Sequence, residues 1–547
     1  MQNFTLRGVV IGAICALVIS ASSVYIALKL GALPWPIFFA VLLVLFLLKA
    51  LGKRRRARGA SIEEAGVSTT IVTSASMVAG GLAFTVPALY ILGLKTPSFA
   101  TVSLCAIVGV MLGALACALY RGYFIERSKL PYPIGLGAAR TLRAGDEGGH
   151  KAHLLFGSAA FAALFAFLRD GLGLIPSVIN FGIKVPNALF GIYASPMSLA
   201  MGFLIAPTAA LVWLGGGLAG LVCDVCWGKD VATSLGIGLM IGVGIGIIAR
   251  MLYLFCRRRL GAWRHRRSGA AWGSGNLREA GSAGQSQILP RPVLVALIPL
   301  VLLLAGLWLG FGLKLELGAV LMVLVLVFLV FLMSAQATGQ AGMNPMEVFA
   351  VIVVLSVGLI WQLGQLQAVL LAAVVAVAAG LTGDVFNDYK LGAEVGIAPR
   401  AQWCSQLIGG LIGALVGAAV IVLLTQVYGS ACFGSGHSFI AAQAGVVATM
   451  IGGIPNLALF LGAALLGLIL AAAGAPVMTL GLGVYLPFYM SLSVALGAGA
   501  HWLTKKLAPR FLAREGGTVV ASGLLAGESI FGILAALVLL VSGAFAA

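Results

Sequence analysis

The chain has 547 residues, of which 61% are hydrophobic and only 9% are charged. Soluble domains carry about 25% charged residues and about 45–50% apolar ones, so this composition excludes a soluble enzyme, a secreted disulfide scaffold, a coiled coil and a disordered chain. The apolar runs are continuous rather than alternating, which also excludes an outer-membrane β-barrel. The sequence therefore predicts an all-α polytopic integral membrane protein.

The apolar content also limits the number of membrane crossings. At about 20 residues per spanning helix, it permits at most about seventeen crossings. The 74 glycines favour close helix packing, and glycine also suits helices that break around a water-lined cavity. We predict about 16 transmembrane helices, within a range of roughly 14–17, some of them broken or re-entrant.

The first half of the chain contains seven clear apolar runs. They lie at about 7–31, 35–51, 65–92, 99–120, 152–168, 198–221 and 230–256. Basic loops at 53–58 and 121–151 follow the second and fourth runs, so the positive-inside rule places these loops and the N-terminus in the cytoplasm. The basic run at Arg257–Arg259 stays on that side only if one more segment crosses. We therefore predict that 171–195, which glycine and proline interrupt, crosses as a kinked or discontinuous helix.

One long hydrophilic connection, residues 257–290, separates two transmembrane halves, 1–256 and 291–547. It starts with arginines and continues with glycine and serine, which predicts a flexible cytoplasmic linker and also suits contact with anionic lipid. Apolar runs of the second half lie at 293–312, 315–334, 347–363, 366–383, 405–427, 438–454, 457–473, 476–500 and 518–545. This is one run more than a symmetric pair of halves needs, so one of them is a candidate half-span hairpin, and the side of the C-terminus stays open.

Motifs for catalysis and for cofactors are missing from the sequence. There is no HExxH, no GxxxxGK[ST] loop and no carboxylate cluster of the kind that holds several magnesium ions. The single CxxC, Cys223 to Cys226, lacks a second Cys or His pair, so metal binding there stays open. The basic clusters lie in loops between spans, which argues against nucleic acid as a partner. We predict a protein that is not an enzyme and has no cofactor and no metal site.

Acidic residues near the spans are candidates for proton coupling. A carboxylate in hydrocarbon costs about 2.5–3.5 kcal/mol, so it usually faces a cavity or marks a pathway. Asp384 and Asp388 are four residues apart and share one face of a helix, where repulsion favours protonation of one of them. Glu528 lies well inside the last apolar run, and Glu64 begins the third run. The alternatives are a solvated loop for the two aspartates, a packed glutamate for Glu528, and a plain helix N-terminus for Glu64.

A second set of candidates would line a substrate path. Glycine and proline break the backbone at Gly339–Pro345, and a proline lies between two tyrosines at Val484–Tyr489; such breaks can line a polar site, although a simple turn is the alternative. The segment after Asp384 adds an amide and two cations, and an arginine there suits a bidentate pair with an anionic substrate group. The predicted path residues are Gln340, Asn344, Asn387, Lys390, Arg400, Tyr485 and Tyr489.

Six segments, which follow one another in family order, resemble the oligopeptide transporter (OPT/YSL) family. They are Ala65–Gly93, Leu130–Gly135, Gly339–Pro345, Asp384–Arg400, Tyr485–Leu496 and Gly523–Gly532. The resemblance implies a polytopic importer of peptides or peptide-like compounds that uses protons, and the plant branch of the family carries metal chelates such as iron–nicotianamine. The chain is similar to prokaryotic members. Its Gly396–Arg400 segment departs from the motif with two adjacent prolines that eukaryotic peptide carriers show.

We predict a secondary active transporter of the cytoplasmic membrane that takes up small peptides or peptide-like compounds together with protons. Two alternatives stay open: a carrier of metal chelates such as siderophore or nicotianamine complexes, and a membrane enzyme or scaffold that moves no solute. The expected partners are the small-molecule or peptide substrate, protons and membrane lipid. The sequence does not determine the coupling stoichiometry or the oligomeric state.

Overall fold

A computed structural model describes most of the chain. The described residues are 4–30, 33, 36–54, 62–128, 130, 132–145, 150–185, 188–205, 207–228, 231–243, 245–246, 288–341, 344–434, 436–453, 456–473 and 475–545. The predicted linker 257–290 lies outside these ranges except for its last three residues, and so does the basic run at 257–259.

The described residues are almost entirely helical. In the first half the helices are α1 (Leu6–Leu30), α2 (Pro36–Arg54), α3 (Ile62–Ala83), α4 (Ala88–Ile91), α5 (Phe99–Arg121), α6 (Pro133–Gly145), α7 (His150–Ala166), α8 (Pro196–Leu204), α9 (Pro207–Cys226) and α10 (Val231–Val243). In the second half they are α11 (Arg291–Leu307), α12 (Leu317–Ala341), α13 (Met346–Gly358), α14 (Gln365–Gly383), α15 (Val385–Val395), α16 (Pro399–Tyr428), α17 (Ala442–Gly452), α18 (Leu457–Ala472), α19 (Val477–Tyr485), α20 (Phe488–Leu507), α21 (Pro509–Ala513) and α22 (Gly516–Phe545). Short π-helical turns, Gly122–Arg127, Phe167–Gly171 and Trp308–Gly312, extend α5, α7 and α11.

Among the described residues, nine helical stretches are long and apolar enough to cross a membrane. Four shorter apolar helices, α10, α13, α17 and α18, add to them. This confirms the predicted all-α polytopic class, while the total number of crossings stays a prediction. Several predicted runs are broken: the run 198–221 splits into α8 and α9, and the run 476–500 splits into α19 and α20 at Pro487. Proline explains the second break, because it removes a backbone donor and clashes with the preceding turn.

The prediction of a discontinuous helix at 171–195 is wrong. This segment contains an antiparallel hairpin of β1 (Val178–Val185) and β2 (Ala188–Tyr193), paired from Val178–Tyr193 to Val185–Ala188. The register shifts between Asn180 and Lys184. Valine and isoleucine are frequent in β1, and such β-branched side chains favour an extended backbone over a helix.

The short helix α8 (Pro196–Leu204) follows the hairpin. α8 runs beside α20 in the same direction: Ser493 Oγ donates to the Tyr193 carbonyl at 3.0 Å near its start, and His501 Nδ1 lies 2.9 Å from the Phe203 carbonyl near its end. α9 then turns back, so that Gly217 meets Ser491 on α20. Of the three helices α8, α9 and α10, only α9 is long and apolar enough to count among the nine candidate spans of the described residues.

The centre of the bundle is formed by α3 and α14. Almost every residue of both helices is buried, because other helices enclose them on all sides. Glycine permits the closest contacts: a Cβ at Gly409 or Gly413 of α16 would clash with the carbonyls of Ile71 or Ala75 on α3. This packing places the polar residues of α3 and the end of α14 deep inside the protein.

Candidate transport site

The first polar cluster surrounds Asp384, at the junction between α14 and α15. Its carboxylate accepts a hydrogen bond from Asn344 Nδ2 at 2.9 Å. The same amide donates to the Ala379 carbonyl at 3.1 Å, and Ser334 Oγ donates to Asn344 Oδ1 at 2.8 Å. Gly383 leaves room for this network, because a Cβ there would overlap Ser334 and Asn344.

The break between α12 and α13 brings Asn344 to this cluster. α12 ends at Ala341, and Pro345 directly precedes α13, so Asn344 lies in a non-helical connection whose side chain reaches α14. The sequence pattern predicted that this broken backbone would line a polar site, and the structure joins it to Asp384. Gln340 lies in the last turn of α12, and its side chain is outside the described part of the structure.

Asp388 lies one helical turn after Asp384 and is buried. Its Oδ2 accepts a short hydrogen bond from the Thr73 hydroxyl on α3. Gln402 Nε2 donates to the Asp388 backbone carbonyl at 2.7 Å. Among the residues that the structure describes, neither Asp388 nor Asp384 forms a salt bridge, so their side-chain hydrogen-bond donors are neutral.

Glu528 has a different environment. Its carboxylate forms a salt bridge with Arg169 at 2.8 Å, and both side chains are almost completely enclosed. It also accepts hydrogen bonds from Ser195 Oγ at 2.9 Å and from the Met197 backbone N–H at 2.8 Å, at the N-terminus of α8. A carboxylate at this end of a helix interacts favourably with the helix dipole. Glu528 therefore has a cationic partner as well as two neutral donors.

Arg169 connects Glu528 to two further groups. Its guanidinium binds both carboxylate oxygens of Asp170, at 2.7 and 2.6 Å, and donates to the Ala194 carbonyl at 2.6 Å. It also lies over the Tyr193 ring, 5.4 Å from the centroid. These contacts tie the end of α7, the β-hairpin, α8 and α22 together.

Glu64 is also paired with a cation. It forms a salt bridge with Arg7 at the start of α1 and accepts a hydrogen bond from Thr5. This geometry fastens the N-terminal end of α3 to α1. Of the four predicted coupling acids, two therefore have an arginine partner and two, Asp384 and Asp388, have neutral donors.

The other predicted path residues are placed separately. Asn387 Oδ1 accepts a hydrogen bond from the Gly135 N–H at 3.2 Å and so joins α15 to α6. Lys390 pairs with Glu394 at 3.2 Å. Arg400 is exposed, and its Nε donates to the Ile288 carbonyl at 2.9 Å. The contacts of Lys390 and Arg400 therefore do not include Asp384 or Asp388.

The two tyrosines lie on either side of the break at Pro487. Tyr485 is partly buried, and its hydroxyl meets Gly445 on α17. The Tyr489 ring lies 6.3 Å from the Tyr193 ring, next to the group of residues around Arg169. The structure thus places Tyr489 near Glu528 rather than near the two aspartates.

The sequence patterns did not predict three polar residues of these sites. Glu347 is only 2% exposed in the first turn of α13, and it interacts electrostatically with Asp384. Thr73 binds Asp388, and Arg169 pairs with Glu528. An acid at the start of the run 347–363 was a usable signal for Glu347. The other two partners are separated from their acids by more than 300 residues in the sequence, so no local pattern reveals them.

A family model described as "OPT oligopeptide transporter protein" matches residues 3–251 and 274–539. The chain belongs to this family. A curated protein from Haemophilus influenzae, named "Putative oligopeptide transporter", is 25% identical over a gapped alignment of 574 positions that covers 89% of this chain and 88% of that protein. The resemblance read from the six segments is confirmed, and this OPT protein is a multi-pass membrane transporter.

Asn344 provides a direct test of the site in this OPT protein. We expect Asn344→Ala to lower the initial rate of substrate uptake at least tenfold, because Asp384 loses its amide donor and a buried unpaired acceptor costs about 1–3 kcal/mol. Uptake per folded protein would be measured in proteoliposomes, with the amount of monodisperse protein as control. An uptake rate equal to that of the wild type would show that the segment Gly339–Pro345 is only a turn.

Proposed function

We propose that this transporter takes up small peptides or peptide-like compounds across the cytoplasmic membrane and couples the uptake to protons. One observation supports the coupling: Asp388 is buried and Asp384 is mostly buried, both with neutral hydrogen-bond donors, whereas Glu528 and Glu64 are paired with arginines. A carboxylate that lacks a cation and is removed from water is favoured in its protonated form.

Proton binding at these acids is suited to drive a transport cycle. Asp384 retains some accessible surface and lies where α14 and α15 meet, opposite the break between α12 and α13. Discontinuous helices of this kind form the ion and substrate sites of many secondary transporters. If the two helix junctions move, the acids are exposed to water on one side and release their proton there.

The proposal of a peptide substrate is supported by the family and by the name of the relative from Haemophilus influenzae. Metal chelates are the competing substrate class, and they are tested in the same experiment. Purified protein in liposomes would receive mixed di- and tripeptides or iron-chelate complexes, with and without an inward proton gradient. We expect accumulation of peptides only with the gradient. Accumulation of chelates alone would replace the substrate class, and gradient-independent accumulation would contradict proton coupling.

Orientation can be tested at the predicted linker, which lies outside the described residues. We expect Ser274→Cys and Ser282→Cys to resist a membrane-impermeant maleimide in intact cells and to react after permeabilisation, because the basic linker is predicted to be cytoplasmic. The matched control is Lys95→Cys, an exposed position between α4 and α5 that is predicted to lie outside. Efficient labelling at both linker positions in intact cells would overturn the orientation.

A further inference from the structure

Glu347 is a buried carboxylate to which the proposed cycle has so far assigned no role. It is 2% exposed, and its Oε1 has no hydrogen-bond partner within the described structure. A buried acceptor without a partner requires an explanation, such as a proton or an ion that completes it. Burial is the main cost of ionising Glu347, and the negative charge of an ionised Asp384 adds to that cost.

Two helix breaks converge at this point. Met346, next to Glu347, packs so closely on Gly380 of α14 that a Cβ there would overlap its sulfur atom. Asn344, three residues before Glu347, binds Asp384. The side chain of Thr338 is completely buried, and its Oγ1 has no hydrogen-bond partner among the described residues. It lies next to Gly383, where a Cβ would come within 2.9 Å of it. Buried oxygen atoms that lack a partner within the described structure therefore occur on both α12 and α13, the two helices that flank the break next to α14.

We propose that Glu347 and Asp384 form one two-carboxylate site that holds a single exchangeable proton. The inference rests on the proposed proton coupling and adds its second acid. Two enclosed carboxylates near each other cannot both ionise at low cost, so one proton is taken up and the remaining charge is stabilised by neutral donors. The amide of Asn344 and the hydroxyl of Thr338 are placed to provide such donors.

The chemistry of the step is a proton transfer without oxidation or reduction. A proton from water forms an O–H bond with one carboxylate, and this O–H can donate to the other carboxylate. When the site opens to the opposite side, the O–H bond breaks and the proton returns to water. Both acids are then ionised only while water reaches them.

The cations near the site are paired with other acids, so Glu347 and Asp384 remain the groups that can share the proton. Asp388, one turn away on α15, is a further acid with a neutral donor. Arg121 on α5 pairs with Glu126 and lies over the Tyr389 ring, and Lys390 on α15 pairs with Glu394. In the described structure, neither cation forms a salt bridge with Glu347 or Asp384.

Infrared spectroscopy tests the shared proton without any substrate. Purified protein in lipid nanodiscs would be titrated with pH while the C=O band of protonated carboxyl groups is followed. For the wild type we expect a band that disappears as the pH rises. Glu347→Gln and Asp384→Asn should each shift the pH midpoint of this band by at least one pH unit, because each removes the partner with which the proton is shared. Glu394→Gln, at a partly exposed acid on α15, is the matched control and should leave the band unchanged.

Three results would overturn the shared site. The first is an unchanged midpoint in Glu347→Gln together with a shift in Asp384→Asn. The second is the loss of the wild-type band when sodium replaces choline at constant pH, which would make the site a sodium site. If Glu347→Gln does not fold, Glu347→Asp replaces it, because this variant keeps a carboxylate. The third contradicting result is then the absence of the wild-type infrared band in Glu347→Asp. Because no transport is measured, failure of peptide uptake would contradict the proposed function and leave this result intact.

Discussion

Replacement of Arg169 by leucine is expected to lower the free energy of unfolding by about 3–5 kcal/mol, the range for breaking a buried ion pair from one side. Glu528 would keep its charge in an interior where only Ser195 and one backbone N–H remain as donors. The end of α7 would also lose its tie to the Ala194 carbonyl. The thermal midpoint of the detergent-solubilised protein, followed by fluorescence-detected size exclusion, measures this effect.

Matched variants separate the buried pair from its surroundings. The double variant Arg169→Leu with Glu528→Leu removes both charges, so it should recover most of the lost stability. Asp170→Asn affects the more exposed partner of the same arginine, which is 39% exposed, and should change stability by no more than about 1 kcal/mol. A double variant that is as unstable as Arg169→Leu would show that the lost contact to the Ala194 carbonyl, and not the unpaired Glu528, causes the instability.

The sequence predicted the parts of this site that depend on local spacing. Asp384 and Asp388 were placed on one helix face because residues four apart are neighbours on a helix, and both are directed into the bundle. The break at Asn344 was predicted from its proline and glycine neighbours. Lys390 was grouped with the acids because it is close in sequence. Two residues correspond to about 200° around a helix, so Lys390 lies on the opposite face from Asp388 and pairs with Glu394 instead.

What could not be predicted depends on contacts between distant segments. The acids looked alike in the sequence, and only the folded chain reveals that Arg169 neutralises Glu528 and Arg7 neutralises Glu64. The segment 171–195 was predicted to cross because the basic run at 257–259 is cytoplasmic only if one more segment crosses before it. Its β-branched residues, however, favour strands. The positive-inside rule gives only the number of crossings and does not identify the segments that make them, and in the structure this segment contains the hairpin of β1 and β2 and not a helix.

The second large effect concerns energy coupling. We expect Asp384→Asn and Asp388→Asn each to reduce proton-driven accumulation of the transported peptide to the level seen without a gradient. Asparagine has nearly the shape of aspartate and keeps a hydrogen-bonding side chain, so the contacts to Asn344 and Thr73 can persist while the titratable group is lost. Exchange of labelled peptide against unlabelled peptide inside the liposomes should continue, since it requires binding and movement but no net proton flux.

This separation of accumulation from exchange distinguishes a coupling acid from a structural one. A structural acid would lower both activities together, because the helix junction at α14 and α15 would no longer form. Glu64→Gln is the comparison, since Glu64 has Arg7 as its partner and should lose activity, if any, in both assays alike. Full proton-driven accumulation by both aspartate variants would exclude Asp384 and Asp388 as the coupling site. Glu347 and the ion-paired acids Glu528 and Glu64 would then be the remaining candidates. Coupling at Glu528 would require breaking its buried salt bridge with Arg169 in every turnover.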